Sequence, residues 1–296
     1  MKTQIKPHQT GLNARSRMLP ILLCCIVLSA ADVARSQVIY DGTGLSYTQN
    51  FDSLGTGTVA WTDNSTLPGW YLNSTTLGIP TSVATSTGNN SSGNVFNVGV
   101  AGVNPVTDRA LGWLTTSTTG TGYVGVQLQN DSGQNYVGDV SITLTIEQWS
   151  ARNVNSDPVF VDYKANLVST GNQLTSTSWT TLATVASPNL SNTGGGTTHF
   201  IDGNAPGDFT TVTETVDFTA ATPWNSGSYL WFRTRDASIS GNNDLNAVDD
   251  VSINVAPIPE PSALALSAIG LGVVLMVQRR RGAEAMRLQK APGRSR

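Results

Sequence analysis

Val140-Ser141-Ile142-Thr143-Leu144-Thr145-Ile146-Glu147 decides the fold. Apolar residues alternate with polar ones, so an extended chain sends one row of side chains to each face, as a half-buried antiparallel strand running on to Gln148-Trp149 does. The same period of two recurs outward from this stretch, at 123–128, 159–163, 212–218, 229–233 and 248–255. Clusters such as Asn130-Asp131-Ser132-Gly133, Asp202-Gly203-Asn204 and Ser240-Gly241-Asn242-Asn243 separate these segments with residues that favour turns. No helical period is sustained outside the two ends of the chain. The pattern predicts an all-β protein, an antiparallel β-sandwich of the jelly-roll kind. Residues 74–94 and 187–196 are polar and rich in small residues, and they read as long loops, either binding edges or tolerated insertions.

Charge and composition narrow the chemistry. Between residues 37 and 258 there are five basic residues against seventeen acidic ones, a net charge of −12. Such a surface repels phosphate backbones, which excludes a nucleic-acid partner. Both cysteines, Cys24 and Cys25, lie in the first apolar segment, and His199, in a glycine-rich stretch read as a loop, is the one histidine of residues 37–258. Zinc sites with several histidines and Cys-His catalysis are therefore excluded. Glu147 and Glu214, the two glutamates of residues 37–258, are the candidates for a glycan hydrolase, which needs a carboxyl pair.

The chain's ends carry their own signals. Lys2, Lys6, Arg15 and Arg17 precede an apolar run at 18–31, and Ala34-Arg35-Ser36 supplies small residues for cleavage, so residues 1–36 read as a secretory signal peptide with a short helix. At the other end Pro259-Glu260-Pro261 precedes an uncharged segment, 262–278, and then Arg279-Arg280-Arg281. Seventeen residues at 1.5 Å each make a helix of roughly 25 Å, long enough for a single transmembrane pass with some thinning of the bilayer. The arginines keep to the cytoplasmic side. Two prolines around a glutamate hold an extended, protease-accessible segment just outside the membrane. This order of features resembles the bacterial PEP-CTERM sorting signal, and the resemblance implies recognition by an exosortase-type membrane protease. The expected organisation is a signal peptide at 1–36, a β-sandwich ectodomain at 37–255, a sorting signal with its helix at 256–282 and a basic cytoplasmic tail at 283–296. The expected location is the membrane first, through the carboxyl-terminal helix, and then the cell surface or the exterior.

Within the ectodomain, Phe51-Asp52, Gly69-Trp70 and the strand Val248-Asp249-Asp250-Val251 resemble jelly-roll modules of the carbohydrate-binding and MAM-like type. Asp108-Arg109-Ala110-Leu111-Gly112 and Glu147-Gln148-Trp149 further resemble secreted PEP-CTERM proteins of unassigned function. The first resemblance implies that the first and last strands lie side by side, with Asp52, Asp249 and Asp250 holding a structural calcium. Sugar rings stack on exposed aromatic faces. Among the aromatic residues, Trp70, Trp149 and Trp231 sit in strand-like apolar contexts and read as buried, while Trp113 and Trp224 lie nearer to loops and are the candidate ligand platforms. The reading is a non-catalytic surface or matrix protein associated with polysaccharide, against the alternative of an extracellular glycan hydrolase or an ancillary domain of one.

Overall fold

Alternation along the chain becomes two sheets. The computed structural model describes residues 37–99, 108–152, 157–168, 171–188, 199–237 and 243–259, together with 276, 278 and 279. One sheet has the order β1 (Val38–Tyr40), β8 (Gly122–Asn130), β14 (Tyr229–Asp236), β10 (Val159–Leu167), β11 (Thr180–Val185), with β4 (Trp70–Ser74) also on β8. The other runs β12 (His199–Phe200), β9 (Gly138–Ala151), β15 (Leu245–Val255), β7 (Ala110–Leu114), β6 (Asn94–Val98), β5 (Ser82–Ser86), β3 (Val59–Ala60), with β13 (Phe209–Phe218) on β9 and β2 (Leu45–Gln49) on β15. Neighbours are antiparallel except β1 with β8 and β5 with β6.

The core lies between the sheets. Val140, Ile142, Leu144 and Ile146 of β9 meet Val248, Val251, Ile253 and Val255 of β15, and Val124, Val126, Leu128, Leu230 and Phe232 from the opposing sheet. Each fully buried aliphatic side chain contributes about 1.5–3 kcal/mol. Two smaller apolar clusters cover the outer faces. Phe96, Val98, Ala110, Leu114, Trp149, Leu245 and Ala247 pack on the nine-stranded sheet, and Tyr71, Tyr123, Leu174, Tyr229 and Trp231 on the six-stranded one. The predicted strands thus lie inside β8, β9, β10, β13, β14 and β15, and β2 lies beside β15, Val251 opposite Gln49.

Two predicted loops contain strand instead. Ser82–Ser86 pairs in parallel with β6, because Val83 is drawn into the core although its neighbours are polar. His199 and Phe200 add a two-residue strand to β9, His199 opposite Ala151. Residues 189–196 of the second predicted loop lie outside the described residues. So do residues 1–36, read above as a signal peptide, Glu260, Pro261, Arg280, Arg281 and residues 283–296. Pro259 is exposed, and Met276, Gln278 and Arg279 are helical and exposed. Among the described residues no helix is long and apolar enough to cross a membrane.

Candidate functional site: an acidic sheet face and an adjoining polar groove

The bulge in β15 organises the acidic end of the nine-stranded sheet. Pairing with β9 shifts register between Asp249 and Ser252, and at that point β15 exchanges one neighbour, β7, for another, β2. An extra residue in one strand breaks the alternation. Asp249 is consequently buried and Asp250 exposed, with Asp250 in the left-handed region at φ 48°. Phe51 holds the same conformation at φ 55°, just after the β2 strand that pairs with β15. Non-glycine residues adopt it at a cost, and such residues gather at functional sites.

Asp52 opens a short 3-10 turn after β2. Its Oδ1 accepts the Arg109 backbone N–H at 3.0 Å, and its Oδ2 accepts Asn50 Nδ2 at 2.7 Å. Asp108, beside it in sequence with Arg109, accepts Asn204 Nδ2 at 3.0 Å. Burial, followed by repulsion from Asp52, Asp250 and Asp202, raises the Asp108 carboxyl above its ordinary range. Glu147 on β9 and Asp249 on β15 are both buried. Glu147 accepts Trp149 Nε1 at 3.0 Å, whereas Asp249 Oδ1 has no hydrogen-bond partner. Burial, with repulsion from Asp108, Asp250 and Asp202, pushes Glu147 up to about 8, and burial with repulsion from Glu147 pushes Asp249 up to about 9.

The calcium set implied by the resemblance does not fit these positions. Asp249 turns into the covered face, Asp250 turns out to solvent, and Asp52 is engaged with Arg109. Among the described residues no three acidic or imidazole side chains are grouped to hold a metal ion. Protons relieve the repulsion between Glu147 and Asp249 instead. The folded state then keeps protons that the unfolded chain releases near pH 4, so this contribution to stability falls as pH rises from about 4 towards 8 or 9. Glu147→Gln removes one such proton. In urea unfolding between pH 5 and pH 8 the variant is expected to gain on wild type by roughly 1.4 kcal/mol per pH unit. A difference that stays constant with pH would contradict this.

Tryptophan placement differs from the sequence reading. Trp70, Trp149 and Trp231 are buried, as expected. Trp113 and Trp224 are buried as well, at 1 % and 0 % exposure, so neither offers a face to a sugar ring. Trp113 lies on β7, whose two faces are both covered, and donates Nε1–H to Tyr123 O at 3.0 Å. Trp224 bridges to Tyr136 through its backbone and stacks on Tyr40, with ring centroids 5.8 Å apart. The loop-like residues around Trp224 hid that pairing. The two glutamates lie on opposite faces: Glu214 pairs with core-facing Ile142, while Glu147 faces outward. They do not form a pair across a bond.

Arg109 joins the acidic face to an open groove. Its guanidinium is buried, with Nε on Asn97 Oδ1 at 2.7 Å and Nη2 on Thr85 Oγ1 at 2.8 Å. The groove has a volume of about 420 Å³ and is lined by Thr56, Thr85, Ser86, Thr87, Asn89, Asn90, Gly99 and Arg109. Ser86 donates its hydroxyl to Asn90 Oδ1 and accepts the Gly88 N–H at 2.9 Å, which fixes the turn after β5. A Cβ on Gly88 would meet Trp149 O at 2.1 Å, and the residue has φ 88°, so glycine is required there. The sequence reading gave a long loop in this region, a binding edge or a tolerated insertion, without locating the groove, since Gly99 follows β6 and Arg109 precedes β7.

No family model matches the chain, and no curated protein matches it. A cyclase from Fischerella sp. TAU shares 14 % identity over 73 % of this chain and 100 % of its own, with a TM-score of 0.38. The tandem CBM22 domains of Paenibacillus barcinonensis Xyn10C share 12 % identity over 71 % of this chain and 50 % of their own, with a TM-score of 0.36. The adhesin domain of Lys-gingipain from Porphyromonas gingivalis shares 17 % identity over 50 % and 75 % respectively, with a TM-score of 0.30. Likeness at these scores carries no functional inference.

Proposed function

We propose that this chain is an exported, non-catalytic β-sandwich of the cell envelope or extracellular matrix, delivered by its Pro-Glu-Pro signal and associated with polysaccharide through the groove beside Arg109. The groove carries the reading. Hydroxyls, amides and the Arg109 guanidinium supply donors and acceptors suited to the hydroxyls of a neutral or weakly acidic glycan. The jelly-roll assignment belongs to the same proposal and is supported by the pairing of the early strand β2 with the last strand β15. The carboxyl-terminal order of Pro259-Glu260-Pro261, apolar segment and Arg279-Arg280-Arg281 supports handling by an exosortase-type protease.

The test uses the form recovered from the native envelope, its carboxyl terminus read by mass spectrometry, on an array of bacterial polysaccharides. A chain ending near Pro259 and Pro261, and bound to at least one glycan, is expected. Thr87 and Asn89 are exposed on the groove, and the double variant Thr87→Ala, Asn89→Ala removes two polar groups that a glycan would meet there. It is expected to bind about tenfold more weakly with unchanged melting. Unaltered binding in the double variant removes the groove from the proposal, and an intact Arg296 removes the sorting step.

A further inference from the structure

Arg109 has more hydrogen-bonding capacity than the fold uses. The residue stands just before β7 at 3 % exposure, and its guanidinium is fixed by the two strands beyond. Nε donates to Asn97 Oδ1 at 2.7 Å, and Nη2 donates to Thr85 Oγ1 at 2.8 Å and to Asn97 O at 3.0 Å. Asn97 has no latitude to turn. Its Nδ2 donates to Gly55 O at 2.7 Å, so Oδ1 is the atom that faces the arginine. A guanidinium carries five N–H donors. Three are taken, and the two on Nη1 have no acceptor among the described residues.

The free nitrogen lies at the wall of the groove. Gly99, which follows β6, lines that groove beside Arg109, and a Cβ on it would meet Nη1 at 2.4 Å and Asp108 O at 2.5 Å. Glycine therefore leaves this end of the guanidinium uncovered. The rest of the lining is threonine, serine and asparagine, with no acidic side chain among it.

Charge says what the groove lacks. Arg233 and Arg235 both meet Asp162, at 2.8 and 3.1 Å. Seventeen acidic residues lie between 37 and 258, yet among the described residues none is in ion-pair contact with Arg109. Asp52 and Asp108 support its charge only from outside contact distance, since the Asp52 oxygens accept the Arg109 backbone N–H and Asn50, and Asp108 Oδ2 accepts Asn204. Burial outweighs their support and holds the Arg109 guanidinium below its ordinary range. Arginine nonetheless stays protonated. A buried cation held only by neutral oxygens is costly to keep, and an anion arriving from the groove would offset that cost.

We propose, resting on the groove reading above, that the polysaccharide bound there is an acidic one, with a uronate carboxylate seated on Arg109 Nη1. Neighbouring sugar hydroxyls then meet the threonine, serine and asparagine side chains. Guanidinium and carboxylate form charge-assisted hydrogen bonds, about twice as strong as neutral ones. Because Nε and Nη2 are committed to Asn97 and Thr85, the carboxylate approaches Nη1 end-on, not across two nitrogens. The acidic surface elsewhere on the chain repels such a polymer only at short range, since exposed charges are screened beyond about 8 Å at physiological ionic strength.

The full chain is titrated by calorimetry, at physiological ionic strength, with polygalacturonate and with alginate, each also after methyl esterification of its carboxyls. At least one acid polymer is expected to bind, to raise the melting point of the folded chain, and to bind about tenfold tighter than its own ester. Arg109→Gln is expected to lose that preference. Should Arg109→Gln fail to accumulate, Thr85→Asp serves instead, because it sets a carboxylate beside Arg109 Nη2 from within the chain. Thr85→Asp is expected to melt above wild type and to bind the acid no better than the ester. Absence of binding by both acid polymers overturns the proposal, and so does a preference for the acid that persists in Arg109→Gln or Thr85→Asp. Equal binding of acid and ester by wild type overturns it too, yet leaves the groove reading standing if that binding falls in the Thr87→Ala, Asn89→Ala variant. Binding that the double variant leaves intact removes the groove reading, and this proposal with it.

Discussion

Asp162→Ala is expected to lower stability by about 3–5 kcal/mol, among the largest effects of any single substitution in this chain. Asp162 sits on β10 at 1 % exposure, where its Oδ2 receives Arg233 Nη2 at 2.8 Å and Nε at 2.9 Å. Thr181 Oγ1 donates to its Oδ1 at 2.7 Å, so the carboxylate is satisfied as well as paired. Arg233 is 7 % exposed, enclosed between the Tyr123 and Trp179 rings with centroid distances of 4.7 and 4.0 Å, and it donates to Leu174 O. Removing the carboxylate leaves that guanidinium buried without its counter-charge, which costs more than the pair contributes when intact. Urea unfolding with an unchanged slope measures it. Arg235→Ala is the control. Arg235 meets the same Asp162 oxygen at 3.1 Å but is 25 % exposed, and its loss is expected to cost under about 1 kcal/mol. Equal, small losses in both variants would mean that the pair does not stabilise this face.

Trp224→Ala is expected to cost about 3–5 kcal/mol, the range for removing a buried aromatic side chain. Four rings meet at this end of the core. Trp224 stacks on Tyr40, meets Tyr136 edge-on at 6.3 Å and lies 6.2 Å from Phe218. Its carbonyl accepts Asn130 Nδ2 at 2.9 Å, and Tyr40 Oη donates to Ala256 O at 2.9 Å, so the cluster also fastens the end of the last strand. Truncation opens a cavity that these neighbours, held by their own hydrogen bonds, cannot fill. Trp224→Phe, which keeps a ring, is expected to lose less. A variant whose melting point is unchanged while glycan binding disappears would restore the ligand-platform reading of Trp224.

How much of this was legible in the sequence follows from what each signal depends on. The alternation at 140–147 reports a local property, the two-residue period of an extended chain against one wet and one dry side, and it survives in β9 with its apolar row facing the core. It fails where a side chain is covered on both faces of a sheet. Trp113 on β7 has neighbours that look like a loop boundary, yet apolar clusters lie on either side of that strand. It fails also at the bulge. Asp249 and Asp250 are adjacent and chemically identical, and only the register shift against β9 decides that one is buried beside Glu147 and the other exposed.

The candidate sites show the same division. The sequence brought Asp52 and the Asp249-Asp250 pair into one hypothesis because each carries a recognisable local pattern. Asp157, Asp236 and Asn246, buried polar residues of the sandwich, carry none. Each stands at the end of an ordinary strand or beside one, and each is buried only once the two sheets close. Likewise the groove beside Arg109 assembles residues of β5 and the turn after it with Thr56, Gly99 and Arg109, a neighbourhood set by the parallel pairing of β5 with β6.

By itself, then, the sequence determined the β-sandwich class, the acidic and cysteine-free character of residues 37–258, and the expectation of export and sorting carried by the two ends. These depend on composition and on patterns no longer than a strand or a short helix. Tertiary structure alone decided which tryptophans are enclosed and which acids are buried against one another. Burial and hydrogen-bond satisfaction belong to neighbours brought together from distant parts of the chain, and no local pattern encodes them.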